Sequence, residues 1–477
     1  MADIDFVIEF SQFNEGFSPL AHIDNKTFVG NKGQASDMKA DVILKPGFLT
    51  QSPALANLTN GSQAGVMDQL IRFILDKPTA SDTTYGIGTT KLFKISSTTV
   101  ISGGSPSWPQ AVTDMTEGES VIRLKANLYG FFNKASGGDI LKMPLSTEVI
   151  DPDWGSSTDV ALEDALHPSA AKEDIMVFGN GRYLGTYVEG LALLDVQKLD
   201  FGEGSEVADV IFHANTWWIA VNYGEGKRSQ IYMYDGSALS NILSDEVGIG
   251  SQKIGFLYVL NGIIYIAYDD ATLEGFAIGW ISGRQIKPLR YFKGSLPDHR
   301  QKTLYKNTIL FVSSTDIWSC GSVVEQLPIQ ISKLTDGGHA TLGGIAAPFG
   351  TPMIASTDGA SAHRLAKFSG FAVDSSWKSV FVDITKNANL GKIVKVIVYT
   401  KALGASARAD LTLEGNQGAL TSNILQVSGT NLTRKVFKTI MLAAVEDIRL
   451  LVDYANGNAT NDCPIRKVVC LGNFVER

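Results

Sequence analysis

Short apolar stretches broken by tight-turn residues dominate the hydrophobic pattern of this chain. β-Branched and aromatic residues alternate with polar ones over short runs, and Asn-Gly, Asp-Gly or other Gly-rich turns follow. Because Asn, Asp and Gly reach positive φ at low cost, such dipeptides suit two-residue hairpins between antiparallel strands. The pattern therefore predicts an all-β protein.

A hairpin unit recurs through the middle of the chain. Each copy has an apolar strand, a turn containing Asn and a second apolar strand, as in VIFHANTWWIAV (210–221). The turn residues are Asn127, Asn180, Asn215, Asn261 and Asn307, with looser copies at Gly88 and Gly350. Successive copies lie about 44 residues apart on average, which is the length of one four-stranded β-propeller blade. Seven copies predict an irregular, seven-bladed propeller in which Asn takes the left-handed turn conformation.

Two flanking regions break this period. Residues 1–62 are polar and rich in Asn, Gly and Lys, which favours an extended N-terminal arm followed by one strand leading into the propeller. Residues 371–477 hold six strands with period-2 alternation, which is typical of a β-sandwich. The expected domains are the arm at 1–62, the β-propeller at 63–370 and the β-sandwich at 371–477. Within 65–77, an amphipathic helix and a blade strand both fit the apolar positions.

Charge and composition narrow the function. A formal net charge of −8 over 477 residues argues against a broad basic surface for nucleic acid. Cys320, Cys463 and Cys470 lack the clustering of a disulfide framework or zinc site, so we expect them to be reduced and buried. The N terminus carries acids where a secretory signal carries bases, and no apolar stretch is long enough to span a membrane. These features argue against export by the usual secretory route.

The motifs that would indicate an enzyme are missing. No histidine stands in an HExxH pattern, and no G-x-S-x-G or complete phosphate-loop motif occurs. We therefore assign no catalytic residue, cofactor or metal. The segment DPDWGSSTD (151–159) weakly resembles a calcium loop but lacks its glutamate, so a solvated loop is favoured. His213 is interpreted as structural, and Trp217 and Trp218 must point to opposite faces of one strand.

One segment, 284–306, concentrates positive charge around Tyr291 and Phe292. Its basic residues form a candidate contact to a phosphate or a neighbouring subunit: Arg284, Lys287, Arg290, Lys293, Arg300, Lys302 and Lys306. A solvated loop between blades is the simpler interpretation.

The plan of arm, propeller and sandwich resembles tail proteins of tailed bacteriophages, of the nozzle, hub or tail-tip type. The residues that carry the resemblance are FNEGFSP (13–19), GNKGQASDMKADVILKPGF (30–48) and the repeat units. The resemblance implies a non-enzymatic virion protein, assembled in the host cytoplasm as a ring with other copies and with neighbouring tail proteins. Genomic DNA would pass transiently through that ring, for which an acidic protein is suited.

A different function class stays open at this point. Trp154, Trp217, Trp218 and Trp280 are residues of the kind that stack on sugars, so the alternative is a glycan-binding or glycan-cleaving propeller. The missing signal peptide and the lack of a recognisable carboxylate pair weigh against it.

Overall fold

The computed structural model describes residues 4–11, 13, 35–41, 48–61, 65–79, 81–155, 162–224, 228–237, 239–241, 253–270, 275–321, 331–334, 339–358, 360–372, 375–385, 389–455, 457 and 460–475. These residues form strands, turns and short 3-10 turns at Glu189–Leu191 and Asn416–Gly418, without an α-helix. In this part of the chain no helix has the length and apolar character needed to cross a bilayer. The predicted all-β class is confirmed.

The chain divides into two compact units. The propeller unit comprises Ala56–Thr315 and Gly337–Lys367. The sandwich unit comprises Met1–Leu55, Asp316–Asp336 and Phe368–Arg477. Residues 1–55 and 316–336 therefore group with the C-terminal strands, which differs from the sequence-based boundaries at 62 and 371.

The strands preceding the first complete blade are β1 (Phe6–Phe10), β2 (Ala35–Asp41), β3 (Thr50–Gln51), β4 (Pro53–Asn57), β5 (Thr59–Asn60) and β6 (Val66–Met67). Blade 1 contains β7 (Phe73–Ile74), β8 (Thr83–Ile87), β9 (Lys91–Ser96), β10 (Thr99–Ile101) and β11 (Gln110–Ala111). Blade 2 contains β12 (Glu117–Leu124), β13 (Asn127–Asn133) and β14 (Gly138–Pro144). Blade 3 contains β15 (Ser169–Lys172), β16 (Ile175–Asn180), β17 (Tyr183–Val188) and β18 (Leu193–Asp200).

Blade 4 contains β19 (Ser205–His213), β20 (Thr216–Tyr223), β21 (Gln230–Tyr234) and β22 (Leu239–Asn241). Blade 5 contains β23 (Ile254–Leu260), β24 (Ile263–Asp270), β25 (Gly275–Ser282) and β26 (Gln285–Lys293). Blade 6 contributes the hairpin of β27 (Lys302–Tyr305) and β28 (Thr308–Ser313) to the propeller unit. In the sandwich unit, β29 (Asp316–Cys320) pairs with β30 (Ile331–Leu334). Blade 7 contains β31 (His339–Ala346), β32 (Met353–Asp358) and β33 (His363–Phe371).

Strands from before the first blade complete the ring of seven blades. β4 and β6 join β33 in blade 7, while β5 pairs in parallel with β10 of blade 1. The backbone N–H of Leu58 donates to the carbonyl of Leu365 at 2.8 Å, which ties this early segment to blade 7. The seven-bladed propeller is thus confirmed, and segment 65–77 supplies β6 and β7 rather than a helix.

The core of the propeller unit lies between neighbouring blades. Trp217 is buried with Leu184 and Val207 in the cluster between blades 3 and 4. Trp218 points the other way and packs against the cluster between blades 4 and 5, which includes Leu257. Both faces of an inner strand are therefore apolar, because each blade is covered on both sides. The prediction that the two tryptophans lie on opposite faces is confirmed.

The recurring asparagines do not all occupy equivalent turns. Asn215, Asn261 and Asn307 lie between the first and second strands of their blades and have φ of 61°, 51° and 62°. Asn180 instead lies between the second and third strands of blade 3, and the positive φ there belongs to Gly181. The equivalent turn of blade 3 is Glu173-Asp174, where Glu173 has a φ of 58°. This offset explains the uneven spacing of the repeat around residue 180.

The first hairpin also departs from the predicted conformation. Asn127 begins β13, and Lys125 carries the positive φ of 50° in the turn before it. Asn127 donates through Nδ2 to Glu189 Oε1 at 2.5 Å, so its side chain joins blade 2 to blade 3. The prediction of a left-handed backbone conformation is therefore wrong for Asn127 and Asn180.

The sandwich unit closes with β34 (Ser376–Ser379), β35 (Val382–Asp383), β36 (Leu390–Thr400), β37 (Arg408–Gly415), β38 (Leu420–Thr421), β39 (Leu425–Ser428), β40 (Arg434–Phe437), β41 (Asp447–Asp453) and β42 (Ile465–Val475). One sheet has the order β1-β42-β36-β40. The other follows β3-β2-β34-β41-β37-β38, with β35 and β39 at its sides. The predicted sandwich is present, but β1, β2 and β3 belong to it, so these parts of the N-terminal region are sheet strands rather than a free arm. Much of the remaining arm, 14–34 and 42–47, lies outside the described residues.

Candidate functional site

The innermost strands of the seven blades surround a cavity of about 620 Å³, which we call the channel. Its walls come from β7, β12, β15, β19, β23, β27 and β31 and from the residues that adjoin them. Most of the wall is apolar, since inner strands are built from residues such as Val121, Val210 and Leu257. A group of charged residues interrupts this apolar wall, and its members come from blades that are far apart in sequence.

Asp209 and Lys302 form a buried ion pair beside the channel. Asp209 follows a bulge in β19, and its carboxylate accepts the backbone N–H groups of Val210 at 2.9 Å and Leu257 at 2.6 Å. Lys302 Nζ contacts Asp209 Oδ2 and donates to the Leu257 carbonyl at 2.7 Å. Burial raises the pKa of Asp209 although Lys302 opposes that shift. The pair therefore links blades 4, 5 and 6 and leaves both charges compensated.

Arg300 organises a second group of charges. Its Nε and Nη2 donate to Asp298 Oδ2 at 3.0 and 2.5 Å, and Nη1 donates to Glu119 Oε2 at 3.1 Å. Burial acts to raise the pKa of Asp298, but Arg300 outweighs it and holds that pKa at about 2. For Glu119, which is 1% exposed, burial prevails over Arg300 and raises the pKa to about 8. Asp298 is therefore the main counter-ion of Arg300.

His299 is buried beside this group and uncharged. Burial lowers its pKa to about 3, with Arg300 acting in the same direction. Nε2 lies 3.2 Å from the carbonyl oxygen of Glu119, so this nitrogen carries the proton and donates. Nδ1 has no hydrogen-bond partner among the residues that the structure describes. Through this hydrogen bond His299 holds the loop before β27 against β12.

Asp76 differs from the other carboxylates because one of its oxygens is free. Oδ1 accepts Thr303 Oγ1 and the backbone N–H of Ala347, both at 2.9 Å. No described residue donates a hydrogen bond to Oδ2. Asp76 is exposed and is one of the residues that line the channel. Burial by the surrounding protein raises its pKa, and its two hydrogen bonds partly offset that.

The basic segment predicted from sequence is not a single patch. Arg284 is exposed in the turn before β26, the outermost strand of blade 5. Lys287 is exposed on β26, and its Nζ lies 5.2 Å from the centre of the Trp280 ring. Lys306 is exposed in the turn between β27 and β28. Arg300 and Lys302 point into the channel region and are neutralised by carboxylates, as described above. The structure thus separates residues that the sequence places together.

Two members of the segment cannot be assigned to a surface. The side chains of Arg290 and Lys293 lie outside the described part of the chain, although their backbone belongs to β26.

Other candidate residues have packing partners. Trp154 lies 5.0 Å from the rings of both Tyr129 and Tyr187, and Lys142 Nζ lies 5.5 Å from its ring centre. His213 is half-buried at the end of β19. Within the described residues, no group of three His, Cys, Asp or Glu side chains is arranged to hold a metal, and Asp159 falls outside them. Cys320, Cys463 and Cys470 are buried and unpaired, as expected.

The sequence analysis missed the acidic half of the channel. Asp76, Glu119 and Asp209 come from blades 1, 2 and 4, and no local motif connects them. A usable signal was present, because an acid inside an otherwise apolar strand, as in VADVIF (207–212), is costly unless it is paired. That signal marks Asp209, but it does not identify Lys302 as its partner.

The sequence matches no protein-family model and no curated protein. Solved structures with similar folds include the extracellular domain of a one-component system from B. thetaiotaomicron, at 13% identity and a TM-score of 0.46, covering 74% of this chain and 43% of that one. The N-terminal domain of Nup159 is similar at 8% identity and a TM-score of 0.41, covering 70% and 98%. Drosophila semaphorin 1a, domains 1–2, is similar at 7% identity and a TM-score of 0.41, covering 66% and 88%. This chain thus spans less than half the length of the bacterial domain, and the likeness in each case is one of fold.

Proposed function

We propose that this chain is a structural protein of a bacteriophage tail, of the nozzle, hub or tail-tip type, which assembles as a ring of copies around the DNA exit path. The observation that carries the proposal is the order of modules along the chain. Strands β1 to β3 enter the sandwich unit, seven blades follow, and β34 to β42 return to the same sandwich. A propeller inserted into a sandwich is consistent with the tail-protein plan to which the sequence is similar, whose segments 13–19 and 30–48 lie mostly outside the described residues.

The state of the channel supports a scaffold rather than an enzyme. Asp209 and Asp298 are held by Lys302 and Arg300, and His299 is uncharged and bonded to backbone. A pair of carboxylates poised as acid and base needs separate environments and access to substrate. In this channel Asp209 instead joins blade 4 to blades 5 and 6, and Asp298 holds Arg300.

The size of the channel also restricts the path of DNA in the proposed assembly. A volume of about 620 Å³ is that of a small-molecule pocket, not of a conduit for a duplex. DNA would therefore pass through the opening formed by several copies. The exposed members of the basic segment, Arg284, Lys287 and Lys306, are the ones available for contacts with a neighbouring subunit in that ring.

Electron microscopy of the purified protein and of virions tests this proposal. We expect multimeric rings, alone or after mixing with the adjacent tail proteins, and labelling of the virion tail by an antibody against the chain. A monomer that is absent from virions would contradict the proposal. Cleavage of host polysaccharide by the purified protein would instead favour the glycan-active alternative, for which Trp154 and Trp217 offer no open platform because both are packed.

A further inference from the structure

The channel has the dimensions of a ligand site. Its volume of about 620 Å³ lies within the range of roughly 300–1,000 Å³ that is usual for small-molecule pockets. Phe73, Val121 and Leu257 supply apolar wall, and a small number of polar groups interrupt it. Sites of this composition bind a ligand through a few directed hydrogen bonds while the wall excludes water.

Two residues that line the channel each have a polar atom without a hydrogen-bond partner among the described residues. Asp76 Oδ2 receives no hydrogen bond from any described residue, whereas Oδ1 is fixed by Thr303 and Ala347. Tyr258 also lines the channel, and among the described residues its hydroxyl has no hydrogen-bond partner. Burial raises the pKa of Tyr258, and the charge of Asp76 adds to that rise, which places the two groups within electrostatic reach of each other. A ligand with hydroxyl groups would satisfy both, because a hydroxyl donates to a carboxylate and accepts from a phenol.

The accessible end of the channel is basic. Lys77, Arg123 and Lys125 line it, and both lysines are exposed. Arg123 donates through Nε to the Lys125 carbonyl at 3.2 Å and through Nη1 to the Pro78 carbonyl at 3.3 Å. These bonds hold the guanidinium between the two lysine-bearing segments. Three cations thus line this part of the channel, and Asp76 is a lining carboxylate next to Lys77 in the sequence.

The net charge of the channel lining predicts whether the ligand is an anion or a cation. Of the charged residues lining the channel, Lys302 is cancelled by Asp209, and Arg300 is cancelled by Asp298. What remains is Lys77 and Arg123 against Asp76, together with Lys125, whose Nζ lies 3.8 Å from Asp174 Oδ2 in a solvent-exposed pair outside the lining. Such a surplus attracts an anionic group and disfavours a cation.

We propose that the channel binds a small anionic sugar, with its hydroxyl groups at Asp76 and Tyr258 and its carboxylate or phosphate at Lys77, Arg123 and Lys125. A sugar of this kind combines the two chemistries that the channel offers, and one monosaccharide unit fits the cavity. The anionic group comes from one of two sources, a uronic acid or a sugar phosphate. This inference is independent of the proposed tail function, because it concerns only the propeller unit.

Calorimetric titration of the full chain with four probes tests the proposal. The probes are glucuronate, glucose 6-phosphate, glucose and inorganic phosphate. We expect saturable binding of at least one anionic sugar, and binding of glucose and of phosphate at least tenfold weaker. Preference for glucuronate identifies a carboxylated sugar, and preference for glucose 6-phosphate identifies a phosphorylated one. No saturable binding at millimolar concentrations, or phosphate alone binding as tightly as either sugar, would overturn the proposal.

Three variants examine the separate contacts. Asp76→Asn keeps an acceptor for Thr303 and Ala347 but replaces the free acceptor by a donor, and Tyr258→Phe removes only the hydroxyl. Each should weaken binding of the anionic sugar at least tenfold, and so should Arg123→Gln. Lys198→Ala, which removes one positive charge from β18 outside the channel lining, is the matched control and should bind normally. If a variant does not fold by circular dichroism, the other two decide, and unchanged affinity in those would overturn the proposal.

Discussion

The asparagines of the repeat serve two different purposes at the level of single residues. Asn215, Asn261 and Asn307 are turn residues whose backbone is left-handed, a conformation that Asn adopts more easily than most residues. Asn180 has an ordinary strand backbone and is fully buried, where its Oδ1 accepts the N–H of Glu163 at 2.7 Å and its Nδ2 donates to the Val196 carbonyl at 3.2 Å. Asparagine in the repeat therefore has a conformational role at some positions and a hydrogen-bonding role at another.

Alanine substitution should separate these roles. Asn180→Ala leaves the Val196 carbonyl and the part-buried N–H of Glu163 without these partners, so we expect a loss of about 2–3 kcal/mol in the free energy of unfolding. Asn215→Ala costs about 1 kcal/mol, because only the preference for left-handed backbone is lost. Urea denaturation followed by tryptophan fluorescence measures both. An unchanged free energy of unfolding in Asn180→Ala would mean that the hydrogen bonds of Asn180 contribute nothing.

Glu119 should give the propeller a stability that depends on pH. Its pKa is about 8 in the folded protein against 4.5 for the unconstrained group. Below pH 4.5 the group is protonated in both states. Between pH 4.5 and 8 only the unfolded chain ionises, so the contribution of this group to stability is lost as pH rises through that window.

Glu119→Gln removes the free-energy cost of ionising a buried carboxyl group, and the amide oxygen still accepts a hydrogen bond from Arg300. The variant should therefore gain stability relative to the parent as pH rises from 5 to 9, by an amount on the order of a few kcal/mol, since one pKa unit corresponds to about 1.4 kcal/mol. Urea denaturation of both proteins at pH 5, 7 and 9 measures this difference. A difference that stays constant with pH would show that burial does not shift the pKa of Glu119.

Irregularities in the inner strands govern the geometry of the channel at the level of elements. The pairing register shifts at Glu119 in β12, before Asp209 in β19, at Gly255 in β23 and at Gly343-Gly344 in β31. Each shift is a β-bulge or a related irregularity, which bends a strand and re-aims a side chain. In β12 and β19 the bulge region presents the acid that meets Arg300 or Lys302.

The bulges mark the limit of what the sequence predicted about elements and site. Hairpins were predictable, because alternation and turn residues are local signals. A bulge is a property of a strand and its partner together, so nothing in EGESVIRL (117–124) alone indicates that Glu119 is displaced. For the same reason Arg300 was identified without Glu119, and Lys302 without Asp209, since these two acids come from other blades.

A glycine in one of these irregular strands should be intolerant of even a methyl group. A Cβ added at Gly255 would lie 2.1 Å from the Pro297 carbonyl oxygen and 2.8 Å from Leu296 Cγ. Gly255→Ala should therefore cost about 2–3 kcal/mol through forced displacement of this segment. Gly224→Ala is the control, because the nearest atom to its Cβ would be 3.4 Å away. Thermal unfolding should place Gly255→Ala well below the parent and Gly224→Ala near it. Similar melting temperatures for the two variants would contradict this account.

The course of the whole chain is what sequence reasoning placed least well. β1 pairs with β42 from Phe6 opposite Gly472 to Phe10 opposite Val468, so the two ends of the chain lie side by side in one sheet. The ring of Phe6 covers Gly472, where an added Cβ would lie 2.1 Å from it, and it packs against Phe474 with ring centres 5.1 Å apart. A polar N-terminal region with one short apolar run looks like an arm, because its partner strand lies at the opposite end of the sequence.

The contribution of β1 to the sandwich leads to a prediction that distinguishes a sheet strand from an arm. Phe10 is fully buried on one face of β1, whereas Val7 is 57% exposed on the other. Phe10→Ala should lower the free energy of unfolding by about 3–5 kcal/mol, as expected for a large core residue. Val7→Ala should stay within about 0.5 kcal/mol of the parent, as for other surface substitutions. Guanidinium denaturation with limited proteolysis measures both effects, and early cleavage in 371–477 should accompany the loss in Phe10→Ala.

The isolated fragment 371–477 should fail to unfold cooperatively, since it lacks β1, β2 and β3. If Phe10→Ala matched Val7→Ala and the fragment folded alone, the N-terminal strands would be the separate arm that the composition suggests.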